Sequence, residues 1–171
     1  MTFQNPWKLV LWFVIILWLQ MSVVPIITFF DLAPDLPLLL VAFVAFLVEP
    51  RKLVPCAFLM GLLKDLLSNS FFGLETASFA LSSLALQQII NHFDRQDEWV
   101  QIWGTFLFSL CSLTIYVFVL SSVKDTGLGG GFTFTRNLLI SGYTTLLLPV
   151  VFPCFKWIFG MKTSVKQYEL F

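Results

Sequence analysis

The stretch Trp99-Val-Gln-Ile-Trp103-Gly-Thr-Phe-Leu-Phe108-Ser-Leu-Cys111-Ser-Leu-Thr-Ile-Tyr116-Val-Phe-Val-Leu-Ser121 contains no charged side chain. As a helix at about 1.5 Å per residue it reaches roughly 34 Å, enough to cross a hydrocarbon core of ~30 Å. The rest of the chain has the same character. Of 171 residues, 58% are hydrophobic and only 12% charged, and there are 20 Phe and 6 Trp. Soluble domains carry roughly 25% charged residues, and a domain of this size cannot hide so much apolar surface while keeping a wettable exterior. A disordered chain would be polar, and 3 Cys are too few for a disulfide scaffold. The fold class implied is an all-α integral membrane protein, a compact bundle of about six transmembrane helices in a single polytopic domain, 1–171.

Working outward, the spans fall at about 7–30, 34–48, 53–68, 74–91, 99–121 and 138–159. The first is too long for a signal peptide and lacks a small-residue cleavage site; Pro25 bends its far end. Asp31-Leu-Ala-Pro34-Asp35-Leu-Pro37 marks a sharp break. The apolar block after it, Leu38 to Val48, is short, so this helix begins inside the membrane near Pro34 or is re-entrant. Gly127-Leu-Gly-Gly-Gly131 reads as a flexible loop before the last span, which contains Pro149 and Pro153. With six spans, Lys8, Arg51, Lys52, Arg95, Lys156, Lys162 and Lys166 lie on one side, against Lys64, Lys124 and Arg136 on the other. The excess of basic residues marks the cytoplasmic side and places both termini there. Lys64, at a helix end, is expected to snorkel outward. Trp7, Trp99, Trp103 and Trp157 lie near inner ends, as an interfacial belt requires. Net charge is zero, so there is no basic footprint for nucleic acid.

Asp65 is the most informative polar residue, because a carboxylate inside a span must face the bundle, a polar cavity or the interface. Ala57, Gly61, Asp65 and Ser68 share one helix face. Ala57 and Gly61 are a small-xxx-small pair that permits close helix approach. The alternative is that Asp65 only caps the turn near Ser68 or pairs with a local Lys. Glu75, Ser78, Ser82 and Ala85 form a second stripe on the next span, and a short turn ending at Gly73 makes the two spans antiparallel neighbours. Asp65 and Glu75 then lie near the same outer surface, although neither has a His or Cys at metal-ligand spacing. Glu75 also suits a helix N-terminus, and Asp35 could cap the second helix after Pro34. Cys56, Cys111 and Cys154 lie in apolar surroundings without a C-x-x-C pair and read as small fillers. His92 stands alone beside a loop. No nucleophile elbow, zinc-protease helix or Walker A loop occurs, so the chain reads as a non-enzyme with no cofactor and no metal.

The run Pro34-Asp35-Leu-Pro-Leu-Leu-Leu-Val41, then Glu49-Pro-Arg-Lys-Leu53, Ala57-Phe-Leu-Met-Gly61-Leu-Leu-Lys64-Asp65-Leu-Leu-Ser68 and Phe72-Gly73-Leu-Glu-Thr76 resembles the MreD family of bacterial rod shape-determining membrane proteins. The resemblance covers about residues 31–80 and rests on the Pro-Asp, the Gly61/Asp65 spacing and the Phe-Gly turn. Phe72 stands where Pro or Leu is more usual, and Lys64 beside Asp65 is unusual. The resemblance implies a scaffold in the inner membrane, in the cell-elongation machinery. It would bind MreC and connect, directly or indirectly, to MreB and peptidoglycan synthases, with no chemistry of its own. The family is also similar in architecture to substrate-binding subunits of energy-coupling-factor vitamin transporters. A solute-binding subunit is therefore the competing function, with Asp65, Glu75, Gln87, Asn91 and Asn137 as candidate ligand contacts. The face Ala57-Gly61-Asp65 is expected to serve internal closure or docking of a partner helix.

Overall fold

The computed structural model describes residues 6–28, 32–48, 53–68, 72–94, 97–124 and 130–158. Within them the chain is all-helical: α1 (Pro6–Ser22), α2 (Val24–Ile27), α3 (Leu36–Phe43) continued by a π-helical turn (Val44–Val48), α4 (Leu53–Leu67), α5 (Leu74–His92), α6 (Glu98–Lys124), α7 (Gly130–Leu146) and α8 (Leu148–Ile158). Asp31 and the segment 49–52 lie outside the described residues, as do the residues after 158.

The breaks have local causes. Pro25 has no N–H and its ring crowds the carbonyl four residues earlier, and α1 ends just ahead of it, where Val23 N donates to Leu19 O at 2.8 Å. Asp35 caps α3, its Oδ1 accepting from Leu38 N at 3.2 Å, and Pro37 sits in the first turn, where no donor is needed. Gly73, at φ +98°, supplies the left-handed residue before α5. Pro149 has no N–H for the carbonyl of Thr145 and its ring crowds that group, and α7 and α8 are bent by 44° at the break between them.

Packing is organised around α3. Pro37 to Phe46 are all buried, and α3 touches α1, α4, α6, α7 and α8. Phe43 meets Phe152 and Phe155 of α8 edge-on, with centroids 5.6 and 5.3 Å apart. A helix that is apolar all round suits either lipid or a protein interior. Here the other helices of the same chain enclose it. The lipid-like surface lies elsewhere: Trp18, Ile26, Phe118, Leu146 and Trp157 are all well exposed. Among the described residues, Glu98–Ser122 of α6 is long and apolar enough to cross a bilayer, and α7 with α8 passes the same measure only when the bent pair is taken together.

Two expectations are corrected. Gly130 and Gly131, expected in a flexible loop, instead begin the helix that leads into the last expected span. Thr133, Thr135, Arg136 and Asn137 hide this start from a hydropathy reading, yet polar side chains do not prevent backbone helix formation. Lys64 does not snorkel outward. Its ammonium turns into the bundle, where two carboxylates compensate it.

Candidate functional site

The polar residues of the first half converge where α4 ends and α5 begins. Gly61 explains how closely these helices meet: a methyl group there would lie 2.6 Å from Thr76 Cα and 3.0 Å from both Glu75 O and Thr76 N. These are backbone atoms, so only glycine fits this crossing. One turn further along α4, Asp65 reaches the start of α5. Its Oδ1 accepts from Glu75 N at 3.0 Å, and its Oδ2 accepts from Thr76 N at 2.9 Å and from Thr76 Oγ1 at 2.5 Å. The carboxylate therefore caps the neighbouring helix, placing its charge at the positive end of the α5 dipole and occupying donors that would otherwise be orphaned. At 3% exposure it is essentially fully enclosed.

Lys64 turns the other way. Its Nζ lies 2.6 Å from Asp35 Oδ2 and 3.2 Å from Glu75 Oε2, and 5.1 Å from the Phe79 ring centroid. One ammonium thus ties the entry of α3 to the α4–α5 junction, in the position a bound cation would take between two carboxylates. Gln20 of α1 clasps the same entry. Its Nε2 donates to Pro34 O at 3.0 Å, and its Oε1 accepts from Leu36 N at 2.9 Å. From α7, Thr144 Oγ1 accepts from Asp35 N at 3.2 Å. The cluster thus joins α1, α3, α4, α5 and α7. Its geometry suits mechanical closure: every ionised group has a partner, and among the described residues no three of His, Cys, Asp and Glu gather as metal ligands.

The family model of rod shape-determining protein MreD matches residues 1–159. The chain belongs to the MreD family. That match extends far beyond the stretch 31–80 on which the resemblance rested. MreD proteins are shape-determining proteins of the bacterial inner membrane and are not a known enzyme family. No curated protein and no solved structure matches the chain.

In this MreD chain the sequence-selected residues fall into three groups. Pro34, Asp35, Asp65 and Glu75 belong to the cluster directly, and Ala57 and Gly61 are buried on α4, Gly61 against the start of α5. Gly73 shapes the turn before α5, and Ser68 ends α4, its N–H donating to Lys64 O at 2.9 Å. Ser78 and Ser82 are buried along α5 and donate to carbonyls of their own helix, Leu74 O at 2.8 Å and Ser78 O at 2.6 Å. The residues considered as a ligand set do not converge. Gln87 and Asn91 lie toward the far end of α5, Asn91 about 24 Å from Glu75 by helical rise, and Asn91 is exposed.

Sequence reasoning missed Gln20, Thr76 and Thr144. Gln20 had a signal, as the one amide in the apolar run of α1. Thr144 had none, and Thr76 had only its place in the run Phe72–Thr76, because the partners of both are set by tertiary packing.

Proposed function

We propose that this MreD-family protein is a non-enzymatic scaffold of the cell-elongation machinery. It binds MreC directly and connects to MreB and the peptidoglycan synthases. The observation that carries this reading is the family match over residues 1–159. The cluster is consistent with it: its charged groups are spent on tying five helices together, and Lys64 already occupies the space between Asp35 and Glu75.

The membrane arrangement belongs to the same proposal. One domain would cross the membrane six times, α3 with its π turn forming a short central crossing and α7 with α8 a bent one. Both termini would lie in the cytoplasm, on the side with most of the Lys and Arg. Exposed Trp99, Trp103 and Trp157 would sit in the inner interfacial belt. A bundle around a central helix also suits the architecture of energy-coupling-factor binding subunits, but fold does not fix function.

The test is native co-purification from mild detergent with mass spectrometry of the bound proteins. MreC and wall-elongation proteins are expected. Recovery of an ATPase pair with a transmembrane coupling subunit would replace the scaffold by a transporter subunit.

A further inference from the structure

The contact between α6 and α7 has an unusual composition. At about 100° per residue, Gly104 and Phe108 mark the side of α6 that meets α5 and the π turn. A methyl on Gly104 would lie 2.5 Å from Phe46 Cζ and 3.4 Å from Leu86 Cδ1, and Phe108 packs edge-on against Phe79 with centroids 6.1 Å apart. Gln101, Thr105, Ser109 and Ser112 are also buried and occupy the adjacent arc of about 80°. α6 packs along α5 and α7 and also touches α3, so with α5 on the other flank this arc lies toward α7 and α3. On α7, the buried side chains among the described residues are Asn137, Ser141, Thr144 and Thr145, all polar. Two neighbouring helices thus each bury a polar stripe, apart from the charged cluster at the α4–α5 junction.

Three hydroxyls in these stripes, Thr105 Oγ1, Ser109 Oγ and Ser141 Oγ, have no hydrogen-bond partner among the described residues, and all three residues are 0% exposed. The usual escape for a hydroxyl in a membrane helix is its own carbonyl one turn back. Ser78, Ser82 and Thr145 take it, Thr145 Oγ1 donating to Ser141 O at 2.8 Å. Thr105, Ser109 and Ser141 make no such bond. Lipid cannot reach them, and buried polar atoms are satisfied by protein or by ordered water. Water sites need two to four polar partners in a confined space, and this seam supplies hydroxyls from both helices.

We propose that the α6–α7 seam binds ordered water on Thr105, Ser109 and Ser141. One turn along α7, Thr144 carries the polar track to the backbone of Asp35, so the seam connects with the cluster at the α3 entry.

Water-edited solid-state NMR of the isotope-labelled full chain in phospholipid bilayers tests this without a substitution. Magnetisation from water should reach the Cβ signals of Thr105, Ser109 and Ser141 severalfold faster than those of Leu39, Leu40 and Phe43, which are equally buried but have apolar side chains. Build-up as slow as in those residues would overturn the proposal and leave hydroxyls rotated onto their own carbonyls. Thr105→Val provides a second readout. Loss of a water ligand lowers the thermal midpoint in detergent. An unchanged or raised midpoint, as expected when an unsatisfied hydroxyl is removed from a dry site, would also refute it.

Discussion

Replacing Gly61 with alanine tests the close crossing of α4 and α5 most sharply. The added methyl would lie 2.6 Å from Thr76 Cα, with Glu75 O and Thr76 N at 3.0 Å. None of these atoms belongs to a side chain that can rotate away, so the helices must separate by about 1 Å to restore ordinary contact. Separation acts on Asp65 one turn away, whose bonds to Glu75 N and Thr76 N are 3.0 and 2.9 Å. Overpacking costs about 1–3 kcal/mol, and weakening a hydrogen bond to a charged group adds about 1.5–3 kcal/mol. Against this stands a gain of about 1 kcal/mol in helix propensity. The net loss is about 1.5–5 kcal/mol, or on the order of 10 °C in thermal midpoint for a chain of this size. The assay is thermal unfolding of the detergent-solubilised protein, with Gly142→Ala as control, because a methyl at 142 meets nothing within 4 Å. The control should be neutral or slightly stabilising. If Gly61→Ala behaves like the control, the close-crossing account fails. Gly61→Leu should go further and abolish accumulation in the membrane together with partner recovery.

Other substitutions separate the remaining terms. Lys64→Met leaves Asp35 and Glu75 buried without their common partner and should cost about 3–5 kcal/mol. Adding Asp35→Asn and Glu75→Gln should restore much of that in the same melting assay, and no recovery would refute the ion-pair account. Asp65→Ala should lower the midpoint well beyond Thr76→Val, since the first strips the α5 cap and the second removes one of its three donors; equal effects would contradict the capping role. Gly73→Ala meets no atom within 4 Å, so its cost is the left-handed backbone alone, about 1–2 kcal/mol. Gly104→Ala collides with the ring tip of Phe46 rather than with backbone. Its effect should be smaller than that of Gly61→Ala, and Phe46→Leu should relieve it.

Much of the architecture is legible in one dimension because membrane helices announce themselves by composition. The uncharged run in α6 is the clearest case, and Pro34-Asp35-Leu-Pro37 marks the entry of α3 because proline and a capping carboxylate act locally. Gly61 and Asp65 could be singled out by spacing and by the cost of intramembrane charge. That the carboxylate caps the next helix rather than its own turn could not be read, since it depends on the crossing of α4 and α5. Lys64 was misjudged for a related reason. A lysine near a helix end normally reaches for water, but two carboxylates from other elements draw it inward. The start of α7 escaped because Gly130, Gly131, Thr133, Thr135, Arg136 and Asn137 are residues that hydropathy cannot distinguish from a loop.

The enclosed position of α3 bears on how the protein is made. The helix leaves the ribosome early, yet Phe152 and Phe155, which cover Phe43, follow about 110 residues later. At roughly 5–20 residues per second, α3 waits about 5–20 s before its last covering helix is synthesised. During that interval its apolar surface must be held by lipid or by the insertion machinery, and the chain cannot close until α8 arrives. Truncations that remove α8 should therefore be recognised by membrane proteases as unfinished chains even when every earlier helix is intact.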